Sequence, residues 1–224
     1  LIRDFTAAFF HHHPLPVWDY KINKGVLKHL MVRHFIKNHH FLLVLVVSED
    51  HSIFDDYAEA IRGRFSSVIS VSIAVHSRPS DGRFYDFVRL SSGEPTLTEQ
   101  LGDLSFSISP TSFFQTNTRQ AETLYSEVVK AAEPNPNDQI LDLYCGTGTI
   151  GLFMAKQAKE VIGIEENPFA IEDAHKNAAL NQISNASFIQ GKVKNILKFQ
   201  KFSPTCVIAD PPRSGFEPKA LMRT

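Results

Sequence analysis

The spacing of hydrophobic and polar residues divides the chain into two halves with different patterns. In the first half, apolar segments typical of strands surround one helical segment at 52–64, where Ile53, Tyr57 and Ile61 fall on one stripe. In the second half, after a proline-rich break at 134–137, short apolar strands alternate with amphipathic helices. The predicted strands are 25–33, 41–47, 68–75, 84–90, 104–108, 139–144, 161–165, 186–190 and 205–209, and the later helices are 118–132, 150–158 and 168–180.

These two patterns predict two domains of different class. The first, at 1–109, is expected to be a small α+β domain with a mostly antiparallel sheet. The second, at 110–224, is expected to be α/β, because alternating strands and helices build a doubly wound, Rossmann-like parallel sheet. The boundary is placed at Pro110, among several serines.

Composition narrows the classes of protein that fit. The chain has 224 residues, 43% of them hydrophobic, and a formal net charge of −1, so no global basic charge points to nucleic acid. Two cysteines give neither a disulfide framework nor metal-ligand spacing, which favours the cytoplasm or an organelle matrix. The apolar run at 41–47 is too short to span a bilayer. For that reason we expect no membrane partner. Three adjacent histidines at 11–13, expected in a loop, cannot all face one ion, so we also expect no metal.

A glycine-rich turn carries the strongest functional pattern. A short apolar strand ends at Tyr144, the turn Gly-Thr-Gly-Thr-Ile-Gly follows at 146–151, and a helix begins at once. Glycine lets the backbone approach a ligand closely, and the start of a helix offers unpaired N–H groups. The segment therefore predicts a site for a nucleotide-like cofactor.

Two cofactors are compatible with this turn. It satisfies the dinucleotide pattern, and Glu165 lies about twenty residues further on, where an acid accepts hydrogen bonds from ribose hydroxyls. However, Asp142 stands on the strand just before the turn, which is the pattern of class I S-adenosylmethionine-dependent methyltransferases. There the acid or its surroundings face the cationic methionine end of the ligand. We favour S-adenosylmethionine, and an NAD-dependent oxidoreductase is the alternative.

Two further motifs lie where a substrate would enter. Residues 208–213, Ile-Ala-Asp-Pro-Pro-Arg, end an apolar strand with an acid, and the two prolines make the following backbone rigid. Residues 113–117, Phe-Phe-Gln-Thr-Asn, combine rings that can stack on a base with amides that can bond its edge. One of the two phenylalanines is expected to belong to the core instead.

Taken in order, the motifs at 113–117, 143–149, 164–165 and 210–213 resemble the RNA uracil-5 methyltransferases of the RumA/TrmA type, and residues 25–33 resemble that family's central domain. The resemblance implies methyl transfer from S-adenosylmethionine to carbon 5 of a uridine in ribosomal or transfer RNA. It also implies site residues: Gln115, Tyr144, Gly146, Gly148, Thr149, Glu165 and Asp210 for the cofactor, Asp210 also at the transfer centre, and Phe113, Asn117 and Arg213 for the substrate.

The resemblance also implies parts that this sequence does not contain. The family's nucleophilic cysteine and its general base lie beyond the Asp-Pro-Pro-Arg segment, and the sequence stops at Thr224. Neither Cys145 nor Cys206 is expected to replace the nucleophile. We therefore expect this chain alone to bind the cofactor weakly or not at all and to be inactive. An inactive RNA-binding module is a second alternative, and an adenine amino-methyltransferase is disfavoured because Arg213 replaces the aromatic residue it needs.

Overall fold

The computed structural model describes residues 1–79, 85–115, 117–212 and 215–216. It divides into two compact units, Leu1–Leu97 and Thr98–Thr224. Each unit has its own sheet and its own buried residues, and each is described separately below.

The first unit is an α+β structure, as predicted. Its sheet has the order β1-β2-β3-β4, with antiparallel outer pairs and a parallel central pair. One face of the sheet packs on α2, whose Phe54, Tyr57 and Ile61 are fully buried. The elements are α1 (Ile2–His12), β1 (Leu27–Phe35), β2 (His40–Val47), α2 (Ile53–Arg64), β3 (Val68–Val75) and β4 (Phe87–Gly93).

Helix α1 was missed by the sequence analysis. The ring of Phe9 meets that of Tyr57 edge-on at 5.4 Å, the ring of Phe10 lies tilted against it at 5.2 Å, and the hydroxyls of Thr6 and Tyr57 are 2.7 Å apart. The expectation that all three histidines at 11–13 lie in a loop was therefore wrong, because α1 continues through His12. Its apolar stripe is short, and packing on α2 stabilises it more than its own helix propensity does.

The second unit is the predicted doubly wound structure. Its main sheet has the order β10-β7-β8-β9, and every pair of neighbouring strands is parallel. The unit begins with a separate two-stranded sheet. Its elements are β5 (Leu97–Leu101), β6 (Leu104–Ile108), α3 (Thr118–Ala132), β7 (Gln139–Leu143), α4 (Thr149–Ala155), β8 (Glu160–Glu165), α5 (Pro168–Leu180), β9 (Ala186–Gln190), α6 (Val193–Phe199) and β10 (Cys206–Ala209).

The hairpin of β5 and β6 corrects the predicted organisation. Residues 104–108 were expected to complete the first sheet, but β6 pairs only with β5 in the described sheets. The division after Leu97 accordingly precedes the boundary predicted at Ser109. The hairpin belongs to the second unit because the side chains of Asn177 on α5 and of its C-cap residue Asn181 bond to the backbone of β6. A strand pattern does not reveal which unit the strand will join.

The order of the parallel strands locates a crevice. From β7 the chain proceeds through β8 to β9 on one side, and β10 then lies on the opposite side of β7. This reversal leaves a gap at the carboxyl ends of β7 and β10, the place where open α/β sheets bind ligands. The glycine-rich turn follows β7, and Asp210 follows β10.

Candidate active site

The glycine-rich turn after β7 is formed by residues with positive φ angles. Tyr144, Gly146 and Gly148 have φ angles of 63°, 55° and 78°. A Cβ atom at position 148 would lie 2.8 Å from the ring of Phe188, whereas one at position 146 would meet no heavy atom within 4 Å. Gly148 is therefore required by packing inside the unit. Gly146 leaves open space beside the turn, which fits the close approach of a cofactor.

Asp142 lies beneath this turn, and its side chain is fully buried. Its Oδ2 accepts a hydrogen bond of 2.9 Å from the backbone N–H of Gly151, which holds the first turn of α4. The pKa of Asp142 is raised to about 7, chiefly by burial, while the Gly151 hydrogen bond lowers it and the negative charges of Asp210 and Glu165 raise it. Asp142 therefore orders the turn and also contributes to a negative local potential.

Glu165 ends β8 and joins the turn to the start of α5. One carboxylate oxygen accepts from the N–H of Gly146 at 3.2 Å, and the other accepts from the N–H of Asn167 at 2.8 Å. A carboxylate has about four lone-pair positions, so each oxygen can accept one further hydrogen bond. This arrangement fits an acceptor for ribose hydroxyls next to the turn.

Three carboxylates thus lie near the carboxyl ends of neighbouring strands. Asp142 is on β7, Glu165 ends β8, and Asp210 follows β10 with its N–H 3.4 Å from the carbonyl of Leu143. Among the residues that the structure describes, no cationic side chain forms an ion pair with any of the three. The site therefore carries negative charge that a cationic ligand would balance.

Gln115 lies beside Tyr125, which was not among the predicted site residues. Its side chain lies close enough to the hydroxyl of Tyr125, buried on α3, to lower the pKa of that hydroxyl. Burial raises the pKa of Tyr125 to about 12, and the charges of Asp210 and Asp142 act in the same direction. Tyr125 is therefore a site residue. A tyrosine on an otherwise aliphatic stripe is the sequence feature that could have revealed it, since a buried hydroxyl needs a partner.

The two adjacent phenylalanines have different environments. Phe114 is buried, and its ring lies 6.0 Å from that of Phe106, which confirms that one of the pair belongs to the core. Phe113 is 68% exposed, so its ring is accessible for stacking. Its contact with a base remains a prediction.

The remaining predicted site residues are placed as follows. Asn117 is the N-cap of α3 and accepts from the N–H of Gln120 at 3.2 Å, which gives it a structural role. Thr149 is buried, with its hydroxyl 3.1 Å from that of Thr147. The ring of Tyr144 meets that of Phe216 edge-on at 5.7 Å. Arg213, like residue 116 of the Phe-Phe-Gln-Thr-Asn motif, lies outside the described residues.

The two cysteines of the sequence do not have the surroundings of a nucleophile. Cys145 is buried, and burial raises its pKa well above the usual value, with the charges of Asp142 and Glu165 adding to the effect. Burial also raises the pKa of Cys206. Because the thiolate is the reactive form, both environments disfavour nucleophilic attack.

Comparisons with known proteins agree with this geometry. Residues 134–212 match the model of a methyltransferase domain. The chain is 37% identical to an uncharacterized RNA methyltransferase of Chlorobaculum tepidum, over 99% of this chain and 46% of that protein. It is 44% identical to one of Caldanaerobacter subterraneus, over 98% of this chain and 51% of that protein. It also superimposes on the Pyrococcus abyssi tRNA (uracil-54, C5)-methyltransferase in complex with S-adenosyl-L-homocysteine, with a TM-score of 0.73 and 27% identity over 98% of this chain and 52% of that one.

These findings fit the predicted resemblance to the RNA methyltransferases of the RumA/TrmA type. The class I methyltransferase fold and S-adenosylmethionine as the cofactor, both predicted above, are confirmed. The NAD-dependent alternative is not favoured. This methyltransferase chain spans about half the length of the curated relatives it matches.

Among the residues that the structure describes, no helix is both long and apolar enough to cross a bilayer. No group of three or more histidine, cysteine, aspartate or glutamate side chains in that part of the chain could hold a metal ion.

Proposed function

We propose that the full-length gene product transfers a methyl group from S-adenosylmethionine to carbon 5 of a uridine in RNA. The observation that carries this proposal is the extent of the likeness to the Pyrococcus abyssi tRNA (uracil-54, C5)-methyltransferase. It covers 98% of this chain and therefore includes both units, at 27% identity. A likeness confined to the methyltransferase domain would support the cofactor but not the substrate.

The cofactor end of the proposal rests on the turn and its carboxylates. When bound, S-adenosylmethionine supplies a methyl group made electrophilic by a sulfonium cation. Asp142, Glu165 and Asp210 lack a cationic partner among the described residues, so they favour a positively charged ligand over one bearing a pyrophosphate. Glu165 would accept from the ribose hydroxyls. Gln115, oriented by Tyr125, would bond the methionine part.

The proposed substrate contacts depend on the exposed ring of Phe113 and on the carboxylate of Asp210. Phe113 would stack on the target base, a contact worth about 1–3 kcal/mol for single-stranded RNA. Asp210 precedes two prolines, which fix the backbone beside the crevice and hold its carboxylate near the base. We assign Arg213 and Asn117 to the substrate side as well. The side-chain oxygen of Asn117 already accepts a hydrogen bond from the N–H of Gln120, so its amide nitrogen would make the contact.

The nucleophile is proposed to come from outside this sequence. Carbon 5 of uracil is a weak nucleophile, and it is activated when a thiolate adds to carbon 6 and later leaves again. Cys145 and Cys206 both have raised pKa values, which disfavours the thiolate at either position. The proposal therefore assigns the thiolate and the base that removes the C5 proton to further residues of the full-length protein.

The test is to map 5-methyluridine in ribosomal and transfer RNA from cells with and without the gene. We expect at least one site to lose its methyl group in the deletion strain and to regain it on complementation. Complementation with Phe113→Trp is expected to restore the modification and with Phe113→Ala to restore it poorly, because only tryptophan retains a stacking surface. Unchanged 5-methyluridine in both RNA classes would refute the proposal.

The cofactor is tested separately on purified full-length protein. We expect S-adenosylhomocysteine to raise the thermal midpoint and NAD to leave it unchanged, because only a ligand that binds the folded state shifts the midpoint. A shift with NAD alone would overturn the assignment of the turn.

A further inference from the structure

Three polar side chains spaced four residues apart lie along α5 and its C-cap: Asp173 and Asn177, which are buried, and Asn181, the partly buried C-cap residue. The three side chains accept hydrogen bonds from alternate backbone N–H groups of the segment 105–109. Asn181 accepts from Ser105 at 2.8 Å, Asn177 from Ser107 at 2.7 Å, and Asp173 from Ser109 at 3.3 Å. The helix therefore bonds to the edge of β6 that does not pair with β5.

The spacing of the two elements explains why this pairing forms. Four residues of an α-helix rise about 6 Å. Two residues of a β-strand span about 6.7 Å. Side chains at every fourth helix position can therefore meet every second strand residue, and they supply the acceptors that a neighbouring strand would supply. Asn181 pairs with Ser105 as a strand residue would, because its Nδ2 also donates to the carbonyl of Ser105 at 2.7 Å.

Asn177 makes a contact of a different kind with its remaining donor. Its Nδ2 donates to the carbonyl oxygen of Thr147 at 3.3 Å, inside the glycine-rich turn, and the residue is fully buried. The Nδ2 of Asn181 instead reaches Ser105 and the backbone of Asn177. The side-chain amide of Asn177 thus joins β6 to the glycine-rich turn.

The same helix face continues to the segment that carries Phe113. Asp173 bonds the hydroxyl of Ser112, and that hydroxyl lies 2.9 Å from the hydroxyl of Ser109. Phe113 follows Ser112 directly, and Gln115 lies two residues beyond Phe113. A displacement of the cofactor turn can therefore reach the predicted base-contacting segment through α5 and its hydrogen bonds.

We propose that Asn177 is a positioning residue that couples the cofactor turn at 146–148 to strand β6 and, through it, to the segment 109–115. This inference rests on the proposed function, which assigns the turn to the cofactor and the segment 109–115 to the target base. The side chain acts by bonding the backbone of Ser107 in β6 and the backbone of Thr147 in the turn.

The test compares Asn177→Asp with Asn181→Asp in the full-length protein. Each substitution keeps an acceptor for the strand N–H, replaces the Nδ2 donor by a second acceptor and adds the same charge, at a fully buried position in α5 for Asn177 and at the partly buried C-cap for Asn181. We expect Asn177→Asp to weaken the binding of S-adenosylhomocysteine, measured by calorimetry, about tenfold, and Asn181→Asp to change it less than twofold. Equal effects of the two variants on the dissociation constant would overturn the proposal.

Amide hydrogen exchange gives a second readout, which does not depend on the ligand. In the ligand-free protein, Asn177→Asp is expected to speed exchange in the turn at 146–148, while Asn181→Asp leaves the turn as protected as in the wild type. Unchanged exchange in the turn of Asn177→Asp would contradict the proposal even if the wild type bound no S-adenosylhomocysteine. Failure of the wild type to bind would count against the proposed function alone.

A shorter substitution covers the case in which the charged variants do not fold. Asn177→Ser and Asn181→Ser each replace the amide by one hydroxyl, and a hydroxyl has a single hydrogen to donate. The serine at 177 is expected to loosen the turn at 146–148 and the serine at 181 to loosen only Ser105. The reverse pattern, or no difference, would overturn the coupling.

Discussion

In the first unit, Asp50 and Asp55 share the guanidinium of Arg89, whereas in the second unit Asp142, Glu165 and Asp210 have no ion-pair partner among the described residues. Arg89 bonds Asp50 through two nitrogens, at 2.6 and 2.9 Å, and Asp55 at 2.6 Å. The hydrogen bond from Arg89 is the largest cause of the lowered pKa of Asp55. In contrast, burial raises the pKa of Asp142 to about 7.

This difference in ion pairing indicates that the acids of the first unit stabilise the fold, whereas those of the second unit are suited to binding a ligand. In the first unit, a cation between β4 and α2 balances the acids, so ionisation stabilises the fold. In the second unit, the three acids converge on the turn without such a cation, which favours a cationic ligand, and ionisation of the buried Asp142 works against the ligand-free fold. A strongly perturbed acid in a crevice is typical of a functional site. The following predictions test this contrast.

The largest effect is expected from Glu165→Ala, which removes the acceptor for the N–H groups of Gly146 and Asn167. We expect the dissociation constant for S-adenosylhomocysteine, measured by calorimetry, to rise about 100-fold, or about 2.7 kcal/mol. The matched control is Glu160→Ala at the opposite end of β8, where Glu160 accepts from Gln139 at 2.8 Å. If both variants bound the ligand as the wild type does, the assignment of Glu165 would be wrong.

The next effect concerns the balanced acids of the first unit. Arg89→Met leaves Asp50 and Asp55 without their shared cation and is expected to lower the free energy of unfolding by roughly 2 kcal/mol, measured in denaturant. Binding of S-adenosylhomocysteine is expected to persist. Arg64→Met, at the exposed end of α2, serves as the control. A loss of cofactor binding in Arg89→Met would break the contrast between the two acid clusters.

A third prediction concerns pH. The pKa of Asp142 is higher in the folded state than in the unfolded chain, so the folded state binds more protons between about pH 4 and 7. Its contribution to stability is therefore fully present below about pH 4 and is lost as the pH rises to about 7, at up to about 1.4 kcal/mol per pH unit. The lowered pKa of Asp55 acts in the opposite direction, because its contribution is lost as the pH falls.

The pH prediction is measured by denaturant unfolding of ligand-free wild type and Asp142→Asn from pH 5 to 8. The variant cannot ionise at this position, so the difference in stability between the two proteins is expected to change across this range. In the same series, binding of cationic S-adenosylmethionine is expected to tighten with rising pH in the wild type more than in the variant. A difference that is constant with pH would place the pKa of Asp142 outside this range.

The smallest effect is expected from an exposed pair in the second unit. Lys176 and Glu172 lie 2.7 Å apart on α5, and both side chains are more than half exposed. We expect Lys176→Ala to change the free energy of unfolding by less than about 0.5 kcal/mol and to leave cofactor binding unchanged. A larger change in binding would indicate that long-range charge, rather than the converging carboxylates, determines the potential at the turn.

Much of the second unit could be predicted from local pattern. The bounds of α3, α5 and β9 agree with those predicted, because caps and breaks mark the helix ends: Asn117 and Asn167 are side-chain N-caps, and Pro168 opens α5. Helix α6 and strand β5 were missed because each is short and its apolar residues do not form a long stripe. The site residues of the turn were found because glycine and acid spacing are local features.

The residues that sequence reasoning missed act over long separations along the chain. Tyr125 was not among the predicted site residues, and only the fold brings its hydroxyl close to Gln115. Asn177 was not noticed, because an asparagine on an amphipathic helix has no distinguishing pattern. Its partners, Ser107 and Thr147, are far from it in the sequence.

The sequence by itself determined the parallel α/β class, the glycine-rich turn, the nearby acids and the family, because these depend on periodicity and on residues within a few positions of one another. Only the tertiary structure decided that β6 belongs with α5, that Asp142 is fully buried, and that one amide joins the turn to the strand. These properties arise when segments distant in sequence exclude water together. Burial then decides which carboxylate is perturbed and which hydrogen bonds the molecule cannot lose without cost.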